Sequence, residues 1–280
     1  MEREIILVPF DFTETSYNAI THAAQLSKAA DDKILLLHVL PKEGLFPKKY
    51  SEEELQEANK ELEDIVKETE KNYNVKPDIK ILEGSLKKTI KEISLIRNIN
   101  LIVMGEHYKV GHHSISAYEV INLLRVNKTK NVIPLIVVET EPAHSHYIEI
   151  VVPFDYKREF KETLRWVMHL SKYYQCNINF LKPFYSDPEK KKLMANNLYF
   201  TKKMLDSNNI IYGIKTARRS KKYRDEVFRF ANDIDADLIV IMSDKYKEYV
   251  AEGKHKNDTN PRKIPVMCIK PLPKKFQQFF

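Results

Sequence analysis

An apolar run closed by Pro-Phe-Asp occurs twice in this chain. It ends Glu4-Ile5-Ile6-Leu7-Val8-Pro9-Phe10-Asp11 and Glu149-Ile150-Val151-Val152-Pro153-Phe154-Asp155, with the two Pro-Phe-Asp triplets 144 residues apart. Asn100-Leu101-Ile102-Val103-Met104 is matched by Asp237-Leu238-Ile239-Val240-Ile241 at an offset of 137, and Pro134-Leu135-Ile136-Val137-Val138 by Pro265-Val266-Met267-Cys268-Ile269 at 131. Matched segments in the same order, with a shrinking offset, imply two homologous units of which the second has shorter loops. The expected boundaries are a first domain over residues 1–142, a linker over Pro142 to His146, a second domain over 147–272 and a tail over 273–280.

Units of this size each bury a sizeable core. No run approaches 18 apolar residues, and Glu2 and Glu4 precede the first strand-like segment, so neither a transmembrane span nor a secretory leader is expected. Cys176 and Cys268 sit beside apolar residues and read as core thiols of a reducing, cytoplasmic compartment. The net charge of +7 is unevenly shared. Residues 1–142 hold 19 Lys and Arg against 23 Asp and Glu, and residues 143–280 hold 27 against 16, a balance of −4 beside +11. A basic second half attracts nucleic acid, acidic membrane or the acidic half of another copy, or is simply a solvated surface. Arg218-Arg219-Ser220-Lys221-Lys222 and Lys274-Lys275 near Phe276, Phe279 and Phe280 are its densest runs, and none has base-reading spacing. Any nucleic-acid or membrane binding is therefore expected to be weak, non-specific and lost as salt rises.

Ile5 to Val8 and Ile34 to Val39 are nearly continuous apolar runs, the pattern of strands buried on both faces of a parallel sheet. Thr15 to Ala30 reads as a helix with Thr13 or Thr15 as its cap, and Glu52 to Asn72 as a second helix. Val75 to Leu82, Leu101 to Met104 and Leu135 to Val138 read as strands, with helices over Lys87 to Ile96 and Ser116 to Val126 between them. The second half repeats the order through Glu162–Tyr174, Ile178–Leu181, Glu189–Ser207, Ile211–Lys215, Lys222–Asp233, Leu238–Ile241 and Val266–Ile269. The expected fold class is α/β: two repeated doubly wound, Rossmann-like domains, each with a five-stranded parallel sheet. Ligands of such sheets bind at the carboxyl ends of the strands, near the point where strand order reverses. Residues 9–11, 39–41, 83–85 and 104–116 gather at that edge, and Asp155, Pro183 and Ser243 are their counterparts in the second half.

Residues Ile6 to Ala19, then Leu36-Leu37-His38-Val39, Glu83-Gly84-Ser85, Leu101-Ile102-Val103-Met104-Gly105 and Pro134 to Val138, together resemble a universal stress protein domain over residues 4–139. A weaker second copy over residues 148–270 makes the chain similar to a tandem member of that family. The resemblance implies two domains packed about a pseudo-twofold axis through their last strands, a role in the stress response, and in some members a bound ATP or AMP, with Mg2+ if ATP. It places Asp11 against the nucleoside, Val39 in the adenine pocket and Gly105 as the first glycine of a phosphate loop. Pro9, Gly84 and Met104 line the same edge, and Gly111, Ser114 and Ser116 are the remaining candidates for a phosphate cradle. Binders in the family carry a second glycine three residues after the first and a later Gly-Ser or Gly-Thr; this chain has Tyr108 at the former place and lacks the latter pair. A Cβ at such places blocks the inward-turned N–H groups that phosphate oxygens need.

His107, His112 and His113 with Glu106 do not make a zinc set, because adjacent loop histidines lack the distant, preorganised ligands such a site needs. No catalytic triad, P-loop or dinucleotide fingerprint is present. The expectation is a nucleotide-sensing first domain with at most slow ATP hydrolysis. Its alternative is a scaffold without nucleotide that binds an unidentified protein or assembles into homo-oligomers.

Overall fold

The computed structural model describes residues 3–41, 50–96, 98–110, 113–126, 133–218, 222–250 and 260–271. The chain divides into two compact units, Met1–Pro142 and Ala143–Phe280.

The first unit alternates strands and helices: β1 (Ile5–Pro9), α1 (Glu14–Ala30), β2 (Lys33–Pro41), α2 (Glu52–Tyr73), β3 (Asp78–Gly84), α3 (Leu86–Ile96), β4 (Ile99–Gly105), then a hairpin of β5 (His107–Val110) and β6 (His113–Ser116), α4 (Ala117–Val126) and β7 (Leu135–Val138). Its sheet runs β7-β4-β1-β2-β3, all parallel. The strand order reverses at β1, so the carboxyl ends of β1, β2 and β4 frame the crevice where this topology takes ligands. The apolar runs are fully buried, with Leu7, Val8, Leu36, Leu37, Ile102 and Val103 at 0% exposure. Ser51 and Glu54 form a capping box that starts α2, and Asn74 ends it in the left-handed conformation. That cap and Pro77 delay β3 to Asp78, later than the apolar pattern from Val75 suggests.

The hairpin is the departure from the expected alternation. The resemblance implies a phosphate loop starting at Gly105, whereas His107–Val110 pairs antiparallel with His113–Ser116.

The second unit follows with β8 (Glu149–Pro153), a 3-10 turn (Arg158–Phe160), α5 (Lys161–Tyr174), β9 (Asn177–Lys182), α6 (Pro188–Ser207), β10 (Tyr212–Thr216), α7 (Tyr223–Asp233), β11 (Leu238–Met242), a 3-10 turn (Ser243–Lys245), the helical turn α8 (Tyr246–Tyr249) and β12 (Val266–Ile269). Its parallel sheet runs β10-β9-β8-β11-β12, the same order about β8 as the first has about β1. Both cysteines are buried and free, and burial raises both thiol pKa values. Among the described residues no helix is long and apolar enough to cross a membrane.

Candidate functional site

β1 delivers Asp11 to the carboxyl edge through a tight turn in which Phe12 adopts a left-handed backbone, φ 61°. That conformation is uncommon for a bulky residue. Phe12 is held there by edge-on contacts of its ring with Phe10 and His38, at 5.1 and 5.0 Å between centroids. The turn aims the Asp11 carboxylate back over the crevice. Its Oδ1 accepts hydrogen bonds from the Thr13 N–H at 3.2 Å and the Thr13 hydroxyl at 2.5 Å. Thr13 thus holds the N-cap position of α1 while its side chain serves Asp11 and caps nothing.

The other oxygen of Asp11 is taken as well. Oδ2 accepts from the backbone N–H of Lys109 at 2.5 Å. In the same hairpin strand Tyr108 turns inward, between exposed His107 and Lys109, and its ring is buried to 2% exposure. The Tyr108 hydroxyl accepts from the Val39 N–H at 2.9 Å, and burial raises the Tyr108 pKa. Hairpin alternation explains the arrangement, since successive residues of a strand face opposite ways.

The remaining candidate residues divide. Pro9 and Met104 are buried strand residues of β1 and β4. Gly105 stands where a Cβ would lie 2.4 Å from Thr15 Oγ1 and 2.7 Å from Thr15 Cβ, so it lets α1 lie close against β4. Gly105→Ala is expected to cost about 1–3 kcal/mol in a urea unfolding curve, as overpacking does; an unchanged midpoint would contradict the close approach. Gly84 ends β3 beside Pro41 with φ 137°, a conformation that needs glycine, and lies two strands away from β1. Ser116 is committed to α4: its N–H donates to Glu119 Oε2 at 3.0 Å and its hydroxyl accepts from the Glu119 N–H at 3.3 Å, while Lys87 pairs with Glu119 at 2.6 Å. The start of α4, where Ser116 stands, is therefore already capped and carries a carboxylate. Ser114 is exposed, across the hairpin from Lys109. Gly111 and His112 lie outside the described residues, as do Arg219 to Lys221 and the tail lysines and phenylalanines.

Residues 2–115 match the model of the Universal stress protein family. The first unit carries a universal stress protein domain. At the level of fold the likeness extends further. A universal stress protein from Archaeoglobus fulgidus superposes with a TM-score of 0.67 at 14% identity, over 96% of this chain and 99% of that one. A Pseudomonas aeruginosa protein of unknown function does so with a TM-score of 0.55 at 14% identity, over 96% and 93%. No curated protein matches the chain.

The universal stress protein domain and the second unit differ at the corresponding edge. Phe10 N–H donates to Leu37 in the first and Phe154 N–H to Leu181 in the second, so Pro183 falls where Val39 does. Proline has no N–H, and the donor that Tyr108 engages has no counterpart. Met242 occupies the place of Gly105, with the Thr163 hydroxyl 3.2 Å from its sulfur. Ser243 is buried with no hydrogen-bond partner for its hydroxyl among the described residues. Tyr223 closes this edge, donating to the Leu181 carbonyl and accepting from the Phe154 N–H at 3.1 Å. The cavity left beside Asp155, Tyr185, Tyr223 and Tyr249 holds about 50 Å³, room for water and not for a nucleotide.

The sequence places Asp11, Val39 and Gly105 at this edge, but not Tyr108 and Lys109 as the partners of Val39 and Asp11. The signal was present: His107 to Val110 and His113 to Ser116 are two short segments separated by Gly111-His112, the spacing of a two-residue hairpin with glycine first.

Proposed function

We propose that this chain is a tandem, cytoplasmic stress-response module that works by binding another protein and not by holding a nucleotide. One observation supports this reading above the rest: the Val39 N–H and both Asp11 oxygens are already bonded inside the chain, to Tyr108, Lys109 and Thr13. A ligand has to displace a buried aromatic side chain and two short hydrogen bonds before it gains any of its own. Titration calorimetry with ATP and AMP, with and without Mg2+, is expected to show no binding at millimolar nucleotide. Micromolar affinity that Asp11→Ala abolishes would establish the sensor reading instead, with the hairpin lifted and Asp11, Val39 and Gly105 facing the nucleoside phosphate. No general base with a partner supports catalysis in this proposal.

The tandem part rests on the repeated strand order about β1 and β8. We further propose that the two domains pair through the apolar edge strands β7 and β12. Leu135-Ile136-Val137-Val138 is apolar throughout, and left unpaired on its outer side a strand of that kind invites another. Residues 1–142 expressed alone are then expected to dimerise or aggregate, and a stable monomer at low concentration in sedimentation analysis would count against the pairing.

A further inference from the structure

The second unit carries a groove that its closed sheet edge does not use. Along the first turns of α6, Lys191, Met194, Ala195 and Leu198 fall at i, i+3, i+4 and i+7, which is one face of a helix. Opposite lie Phe184 and Tyr185, on the segment that leaves β9, and Thr216 at the end of β10; the open groove between them holds about 290 Å³. Met194 is buried, while Phe184 keeps 44% of its surface exposed and Tyr199, one helical turn past Ala195, keeps 73%. Lys182 and Lys191 also line the groove. They make no ion pair among the described residues, and neither do Lys202 and Lys203 one turn beyond Tyr199.

We propose that this groove docks an acidic protein segment carrying one bulky apolar side chain. The proposal deepens the protein-binding reading above and rests on it. A space of this size suits a single aromatic or long aliphatic anchor, and aromatic anchors seated in a helix-lined groove dominate the affinity of short segments. Among the described residues the lysines at both ends of the apolar strip lack counter-charges, and the surrounding half of the chain is basic by 27 Lys and Arg to 16 Asp and Glu. Acidic residues flanking the anchor supply what those lysines lack and speed the encounter. A nucleic-acid backbone answers the lysines but leaves the apolar surface of Leu198 and Tyr199 uncovered. A membrane surface requires a broad apolar face in place of a groove.

The test uses the full chain and fluorescein-labelled ten-residue peptides of Glu and Asp with a central Phe, followed by fluorescence anisotropy at about 50 mM salt. The expected dissociation constant is about 10–100 µM, a range in which one anchor and a few charges suffice. Replacing the peptide's Phe by Ala is expected to weaken binding at least about fivefold, and the double variant Lys182→Glu, Lys191→Glu at least about tenfold. Lys88→Glu, on the first unit and weakly paired with Glu92 at 3.9 Å, serves as the charge-matched control and is expected to change nothing. Ala195→Trp fills the groove without altering charge and is expected to abolish binding, with circular dichroism confirming that each variant is folded. Absence of binding overturns the proposal. So does equal affinity for the Phe and Ala peptides, an equal effect of Lys88→Glu, or displacement of the peptide by duplex DNA or anionic vesicles that Ala195→Trp leaves intact. Each of these outcomes is independent of the nucleotide titration, so the groove and the non-nucleotide reading fail separately.

Discussion

Tyr108→Ala lowers the unfolding free energy of the first unit by about 3–5 kcal/mol, the range for truncating a large buried aromatic side chain. The ring is almost fully enclosed, so the substitution leaves a cavity at the carboxyl edge and strips the Val39 N–H of its acceptor. Tyr108→Phe separates the two effects. It keeps the ring and removes only the oxygen, at an expected cost of about 1–3 kcal/mol for a buried donor left unsatisfied. Urea denaturation gives both values, and hydrogen exchange at the Val39 amide reads the second locally, with faster exchange in the Phe variant. A cost below about 1 kcal/mol for Tyr108→Ala, well under the range for a buried aromatic, would mean that the hairpin does not close the edge.

Asp237→Ala is expected to damage the second unit as well, by about 1–3 kcal/mol for each backbone donor it strips of its acceptor. The carboxylate, 3% exposed, accepts from the Ile148 N–H at 2.7 Å, the Glu149 N–H at 2.9 Å and His144 Nδ1 at 2.6 Å. It thereby anchors the start of β8 and the segment before it. Asp237→Asn retains an acceptor oxygen and should lose less. His144 also lies 3.2 Å from Asp235, and its hydrogen bond to Asp237, then the charges of both carboxylates, raise its pKa above the ordinary histidine value. The folded chain therefore binds this proton more tightly than the unfolded one. The stabilisation is complete below the unfolded value near pH ~6.5 and is lost as pH rises through the folded value. Denaturation midpoints of the wild type and of His144→Gln are expected to converge at alkaline pH and to separate in mild acid, with the wild type the more stable. A gap that is constant across pH would exclude the ion pair.

The strands were legible because a strand buried on both faces leaves a continuous apolar run, as Ile6-Leu7-Val8 and Leu238-Ile239-Val240 do. The helices were legible from periodicity, and strand-end logic brought Asp11, Val39 and Gly105 to one edge. What occupies that edge was not. The bond between Tyr108 and Val39 spans 69 positions, and no local pattern encodes a contact of that range. The polar residues of 107–116 resemble a loop because one face of the hairpin is wet and its strands are only four residues long. Ser116 is a different case. Ser116-Ala117-Tyr118-Glu119 is a capping box in plain view, and a serine committed to its own helix is poorly placed to hold an anion.

A tyrosine closes each sheet edge, yet the two arrive by different routes: Tyr108 from a hairpin after the fourth strand of its sheet, Tyr223 from the first turn of a helix that precedes it. An occupant carried on the same chain has no concentration in solution. Its local abundance is set by tether geometry and does not follow the metabolic state of the cell. A free nucleotide competing for the first edge therefore meets an apparent affinity lowered by a constant factor, set by how rarely the edge is open. On the proposed reading such a domain keeps the shape of a gauge while its needle is fixed, and its output answers to what docks on its outer surfaces.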